Sequence, residues 1–192
     1  MTGVYASQRY GGGSYATAVA PWLGQGEQLL AVTEVSLCGL IRDTVPRRHR
    51  PQSGGGLDVL LLPFELVSAA WTALRRGLVA PLRGRPLRGA WGSQAGRFVI
   101  AVRTLPSRDG RTFSYDNDHA LLAFTTHRVL IAHPGVSETR YLGEFPRGEL
   151  RGARNRHWTF SDRVDLTFAD GSLVAVEAKR PEAEALARVV SP

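Results

Sequence analysis

Leu121-Leu122-Ala123-Phe124-Thr125-Thr126-His127-Arg128-Val129-Leu130-Ile131-Ala132-His133 decides the fold. Two short apolar runs rich in β-formers flank a polar step at Thr126-His127-Arg128, which reads as strand, tight turn, strand. Downstream, Val164-Asp165-Leu166-Thr167-Phe168 alternates apolar and polar residues, Ala169-Asp170-Gly171-Ser172 turns, and Leu173-Val174-Ala175-Val176-Glu177 returns. An Asp-Gly step between two such runs is a strong hairpin signal, because the turn needs a positive φ that glycine supplies without strain. The stretch from Ala120 to Ala178 is therefore expected to be a β-rich core.

Outward from that core, Glu27–Ile41 carries Leu29, Leu30, Val32, Val35, Leu37 and Leu40 with Thr33 and Ser36, a composition that favours a pleated strand. Arg97–Pro106, with Phe98-Val99-Ile100-Ala101-Val102, reads as a further strand. Thr112–Tyr115 pairs back on it across Asp109-Gly110. Glu138–Phe145 and Glu149–His157 read as strands too. Pro181–Val190 begins with proline and carries Glu182 and Glu184 near its start, as a helix would. Short strands followed by one helix imply a mainly β chain: a small antiparallel barrel or sandwich capped by a C-terminal α-helix.

Two regions stand apart. Residues 1–26 are rich in Gly, Ser, Ala and Tyr, with the linker-like Gly11-Gly12-Gly13-Ser14, and are expected to form a flexible tail. Residues 42–96 break the β pattern and read as a basic, partly helical insertion after the first strand. Leu57, Leu60, Leu61, Phe64, Val67, Trp71, Leu74 and Leu78 recur at steps of three and four, which puts them on one helical stripe. The remaining residues, 27–41 with 97–192, form the expected β domain.

Phe124-Thr125-Thr126-His127-Arg128-Val129-Leu130, then Phe145-Pro146 with Glu149-Leu150, then Phe168-Ala169-Asp170-Gly171-Ser172 before a short helix, resembles the bacterial PH-like (pleckstrin-homology, GRAM-related) domain. That pattern is a T-x-x-R strand junction, a hydrophobic-Pro step and an x-D-G hairpin before the capping helix. The resemblance covers residues 120–190 well, and 27–41 with 97–106 loosely. It implies a small antiparallel barrel acting as a binding module. In many eukaryotic relatives the first inter-strand loop holds phosphorylated lipid, and the 42–96 insertion falls at that junction where the family usually has a brief loop.

Charge sharpens this. The 192 residues carry a net +7, and Lys179 is the only lysine. Between Arg42 and Arg111 thirteen arginines face four carboxylates, while the rest of the chain sums to −2. Arg47, Arg48, Arg50, Arg75, Arg76, Arg83, Arg85 and Arg88, with Phe64 and Trp71 on the apolar stripe, are thus the candidate lipid- or partner-binding residues. Such a helix could dock a protein partner or a second copy, or lie on an acidic membrane surface with its arginines among the headgroups. A second, weaker basic cluster is Arg147, Arg151, Arg154 and Arg156 with Trp158. Nucleic acid is disfavoured because the basic clusters lack interleaved aromatics apart from Trp91, so no stacking platform is evident.

The chain shows no nucleophile elbow, phosphate-binding glycine loop, dinucleotide fingerprint or H-E-x-x-H. No catalytic residue, metal or cofactor is assigned. Asp116-Asn117-Asp118-His119 lacks the glycine and distant glutamate of a calcium loop and reads as a hairpin loop. The lone Cys38 cannot form an intrachain disulfide and reads as a small core residue. No secretory signal is read at the start, and Asp58 and Glu65 interrupt the longest apolar run, so the expected location is the cytoplasm, with room for a peripheral role at the inner face of the membrane.

Overall fold

The computed structural model describes residues 5–7, 13–38, 41, 86–103, 119–134, 139–156 and 162–190. It is mainly antiparallel β with a C-terminal helix, in agreement with the sequence. The described strands are β1 (Tyr5–Ala6), β2 (Leu29–Leu37), β3 (Leu87–Arg88), β4 (His119–Thr125), β5 (Arg128–His133), β6 (Arg140–Pro146), β7 (Leu150–Arg156), β8 (Asp162–Phe168) and β9 (Leu173–Ala178). The α-helices with described bounds are α1 (Tyr15–Val19), α2 (Gln94–Arg103) and α3 (Arg180–Val190).

The strand order β6-β5-β4-β2-β9-β8-β7 puts β6 and β7 at opposite ends, yet only Arg147–Glu149 joins them. Seven strands laid flat would hold their edges roughly 29 Å apart, and this link reaches no more than about 15 Å. The sheet must therefore curl until its two ends nearly meet at this corner, although it does not close into a continuous ladder.

Inside the curl lies the main core. Ala31, Val35, Leu122, Phe124, Val129 and Ile131 come from the first half of the sheet, and Val164, Leu166, Phe168, Val174 and Val176 from the second. Helix α3 seals the opening with Ala183 and Leu186. Arg147 fixes its far end: the guanidinium donates to the Thr125 carbonyl (3.1 Å) and to the Val189 carbonyl (2.9 Å), tying the curl, the β4–β5 turn and the last turn of α3 together.

The T-x-x-R junction acts as a clasp. Thr125 Oγ1 accepts from the backbone N–H groups of His127 (3.2 Å) and Arg128 (3.0 Å), which shapes the two-residue turn without any positive φ. Arg128 then grips Glu27 through Nε (3.0 Å) and Nη2 (2.9 Å), donates to the Trp22 carbonyl (3.0 Å), and pairs with Glu144 through Nη1. These bonds hold the Glu27 carboxyl down at about 2, against an ordinary 4.5; the hydrogen bonds from Arg128 outweigh the opposing effect of burial.

Two expectations are corrected. A tail was expected over residues 1–26, but its described parts belong to the fold. Tyr5–Ala6 pairs in parallel with Ala31–Val32, and Tyr15 and Val19 are buried with Val32, Leu121, Ala123, Leu130 and Ala132 in a second apolar cluster on the outer face of the sheet. The reason is that β4 and β5 are apolar on both faces, so the outer one needs a cover; Ser14 starts the covering helix by accepting from the Ala16 N–H (3.2 Å). The strand expected over Arg97–Pro106 is instead helix α2, up to Arg103. Ala95, Phe98, Val99 and Val102 lie on its buried face at helical spacing, and packing outweighs the β-preference of Val and Ile. The hairpin expected at Thr112–Tyr115 and the helical stripe at 57–78 lie outside the described residues.

Candidate interaction surface

The geometry that bears on the insertion is a split in one ladder. Strand β2, paired with β4 as far as Ser36↔His119, pairs along its other edge with β9 at Ser36↔Glu177 and Leu37↔Val176, while β3 pairs with the same edge of β9 at Leu87↔Val174 and Arg88↔Leu173. Between them, the Cys38 N–H donates to the Ala175 carbonyl (3.3 Å) and the Ala175 N–H donates to the Pro86 carbonyl (2.7 Å). In an unbroken antiparallel ladder one residue would make both of those bonds. Here two residues share the place, and proline, which has no N–H, supplies only the carbonyl. Cys38 and Pro86, far apart in sequence, therefore share a single ladder position. Just beyond Cys38, Ile41 is fully buried and its N–H donates to the Cys38 carbonyl (2.8 Å).

The returning chain is clamped by the β8–β9 turn. Ser93 Oγ accepts from the Gly96 N–H (3.2 Å) as the cap of α2. Asp170 Oδ2 accepts from the Gln94 N–H (2.8 Å), Gln94 Oε1 accepts from the Asp170 N–H (3.1 Å), and Ser172 Oγ accepts from the Ala95 N–H (3.0 Å). Hydrogen bonds from Ser172 and then from the Gln94 backbone hold the Asp170 carboxyl below its ordinary range. Gly171 adopts φ 76°, as the Asp-Gly signal requires. Gly96 is needed for closeness: a Cβ there would lie 2.5 Å from the Trp91 carbonyl oxygen. Residues from Pro86 to Arg103 thus belong to the β domain.

Of the candidate binding residues, Arg88 lies exposed on β3, beside that junction. Arg47, Arg48, Arg50, Phe64, Trp71, Arg75, Arg76, Arg83 and Arg85 lie outside the described residues. The second basic cluster divides. Arg147 is spent on the clasp described above. Arg156 Nε pairs with Asp165 (2.9 Å), whose other oxygen takes Arg163 Nε (2.6 Å). Arg154 stands directly across from Asp165 in the β7–β8 ladder but finds both carboxylate oxygens occupied. Two arginines thus share one carboxylate on the outer face of this ribbon, with Arg154 beside them and outside the pair. Arg151 is exposed at the bulge that opens β7.

Cys38 is buried in the main core, as its apolar setting implied. His119 lies 3.4 Å from Glu34, and among the described residues no three His, Cys, Asp or Glu side chains gather as metal ligands. Among those residues no helix is long and apolar enough to cross a membrane. The chain matches no family model and no curated protein.

Sequence reasoning did not find the Ala175 junction, because a ladder shared by residues far apart in sequence leaves no local pattern. The α2 clamp was more visible: Ser93 precedes a helical repeat of Ala95, Phe98, Val99 and Val102, a signal masked by the β-branched run within it.

Proposed function

We propose that the chain is a non-enzymatic, PH-like binding module whose arginine-rich excursion docks a protein partner or a second copy of the chain. The split ladder at Ala175 carries this reading. An excursion that starts and ends at one position adds length and charge without altering the sheet around it, which is how a binding element is grafted onto a stable scaffold. The curled sheet, the helix across its opening and the Thr125–Arg128 clasp are what the PH-like resemblance would require.

Sedimentation of the intact chain and of Trp71→Glu tests the docking role. The intact chain is expected to associate with concentration, and Trp71→Glu to sediment as a monomer with an unchanged unfolding transition. An intact chain that stays monomeric counts against docking of a second copy, and a variant that associates equally counts against the excursion as the docking surface. The excess of arginine over carboxylate between Arg42 and Arg111 favours a second reading, an acidic phospholipid surface. Co-sedimentation with phosphatidylserine vesicles at low salt, lost when Arg47, Arg48, Arg75 and Arg76 become glutamate, would select it over protein docking.

A further inference from the structure

Beyond the excursion, we infer that the β7 edge is a second docking site, which takes an acidic peptide in extended conformation by strand addition. Among the described residues β7 pairs as a strand only with β8, and α3 packs against it without adding a ladder, so alternate N–H and C=O groups along it have no strand partner. The other end of the sheet is less receptive. Strand β6 is bulged opposite Ile131–Ala132, which disrupts the register an added strand would need, and its Glu144 is held by Arg128 and by the Tyr141 hydroxyl (2.9 Å). On β7 the bulge lies at the start, between Leu150 and Gly152, and leaves Gly152–Arg156 in regular pairing.

The side chains say which strand would fit. Arg151 and Arg154 are exposed and neither has an ionic partner among the described residues. Arg154 faces Asp165, yet that carboxylate is already divided between Arg156 and Arg163. Positive charge along an edge with unpaired backbone is complementary to an extended chain bearing carboxylates at alternate positions: its backbone satisfies the edge and its side chains meet the arginines. Strand β7 carries no aromatic side chain on which a base could stack, which sets nucleic acid aside.

A fluorescein-labelled peptide of alternating Glu and Val, about ten residues long to match a strand, tests this by anisotropy with the full chain. Saturable binding is expected, weakened about tenfold or more when Arg151→Glu and Arg154→Glu are combined. Replacing the valines with proline should abolish it, because proline removes every second N–H and locks φ at about −65°, off the extended strand. Arg151→Lys with Arg154→Lys should retain most of the binding, and Arg75→Glu with Arg76→Glu should leave it unchanged, which separates this site from the excursion. Equal binding of the proline peptide would overturn the inference, as would an unaffected glutamate double variant. Phosphatidylserine vesicles or a single-stranded oligonucleotide that bind through the same two arginines while the peptide does not would overturn it too.

Discussion

The two halves of this sheet share one interior but finish their outer faces in opposite ways. On β2, β4 and β5 the outer face is Val32, Leu121, Ala123, Leu130 and Ala132, roofed by Tyr15 and Val19. On β7 and β8 it is Arg154, Arg156, Arg163 and Asp165. The first half has used its outer surface for stability; the second has left charge to spare. A strand with two apolar faces reads as a continuous apolar run, and one with a charged outer face alternates even where, as at Arg163 and Asp165, the charges are buried. The sequence shows both patterns: Leu121–Phe124 is unbroken, while Val164–Phe168 alternates.

The largest expected effect tests whether the roofed face is a true core. Leu121 and Leu122 are neighbours on β4 that point to opposite faces, and both are essentially fully buried. Leu121→Ala and Leu122→Ala should each cost about 2–5 kcal/mol in denaturant unfolding. A cost below about 1 kcal/mol for Leu121→Ala alone would mean that the N-terminal cover packs loosely, and the contrast between the halves would fail.

The next effect concerns what pins that cover. Arg128 holds Glu27 and the Trp22 carbonyl, so it links the roof to the β4–β5 turn. Because the folded Glu27 carboxyl sits at about 2, below its ordinary 4.5, its contribution is complete above about pH 5 and disappears as pH falls towards 2. The Glu27 side chain is 5% exposed but Arg128 is 27% exposed, so the contribution is about 2 kcal/mol after allowing for solvent screening. Glu27→Gln should lower stability at pH 7 by that order and flatten the acid limb of a stability-pH curve. Asp170, also held below its ordinary range, should leave a residual slope of the same sign. A Glu27→Gln curve parallel to that of the parent would show that the clasp is not what acid breaks.

What was legible follows from how local each signal is. The hairpins at Thr126-His127 and Asp170-Gly171 and helix α3 are written in adjacent residues, and they lie where the sequence puts them. The roof was not read, although the unbroken run in β4 demands a cover; a Gly-rich composition around it hid Tyr15, Val19 and Trp22. Helix α2 was misread because Val99, Ile100 and Val102 prefer strands in isolation, and the deciding bonds come from Asp170 and Ser172, distant in sequence. Among the candidate site residues, the identity of an arginine could be read but not its employment. Arg147 and Arg156 are tied up by partners that only the fold brings near.

The clamp on α2 belongs to the charged half and gives a smaller effect. Ser172→Ala removes the side-chain acceptor for the Ala95 N–H and should cost about 1 kcal/mol. Faster hydrogen exchange should be confined to the first turn of α2. Exchange that quickened across the roof as well would show that the two halves are coupled through more than their shared core.

The smallest effect makes the contrast sharpest. If the charge on β7 is surplus to the fold, Arg154→Ala should change stability by no more than about 0.5 kcal/mol, although the residue stands directly across from a buried carboxylate. Arg156→Ala should cost more, because it strips Asp165 of one of the two guanidiniums that compensate its burial. Paired unfolding curves for these neighbours would separate an arginine that the fold has used from one it has left for a partner. Equal costs would mean that Arg154 also serves the ion group around Asp165, and the β7 edge would then have no charge of its own to offer.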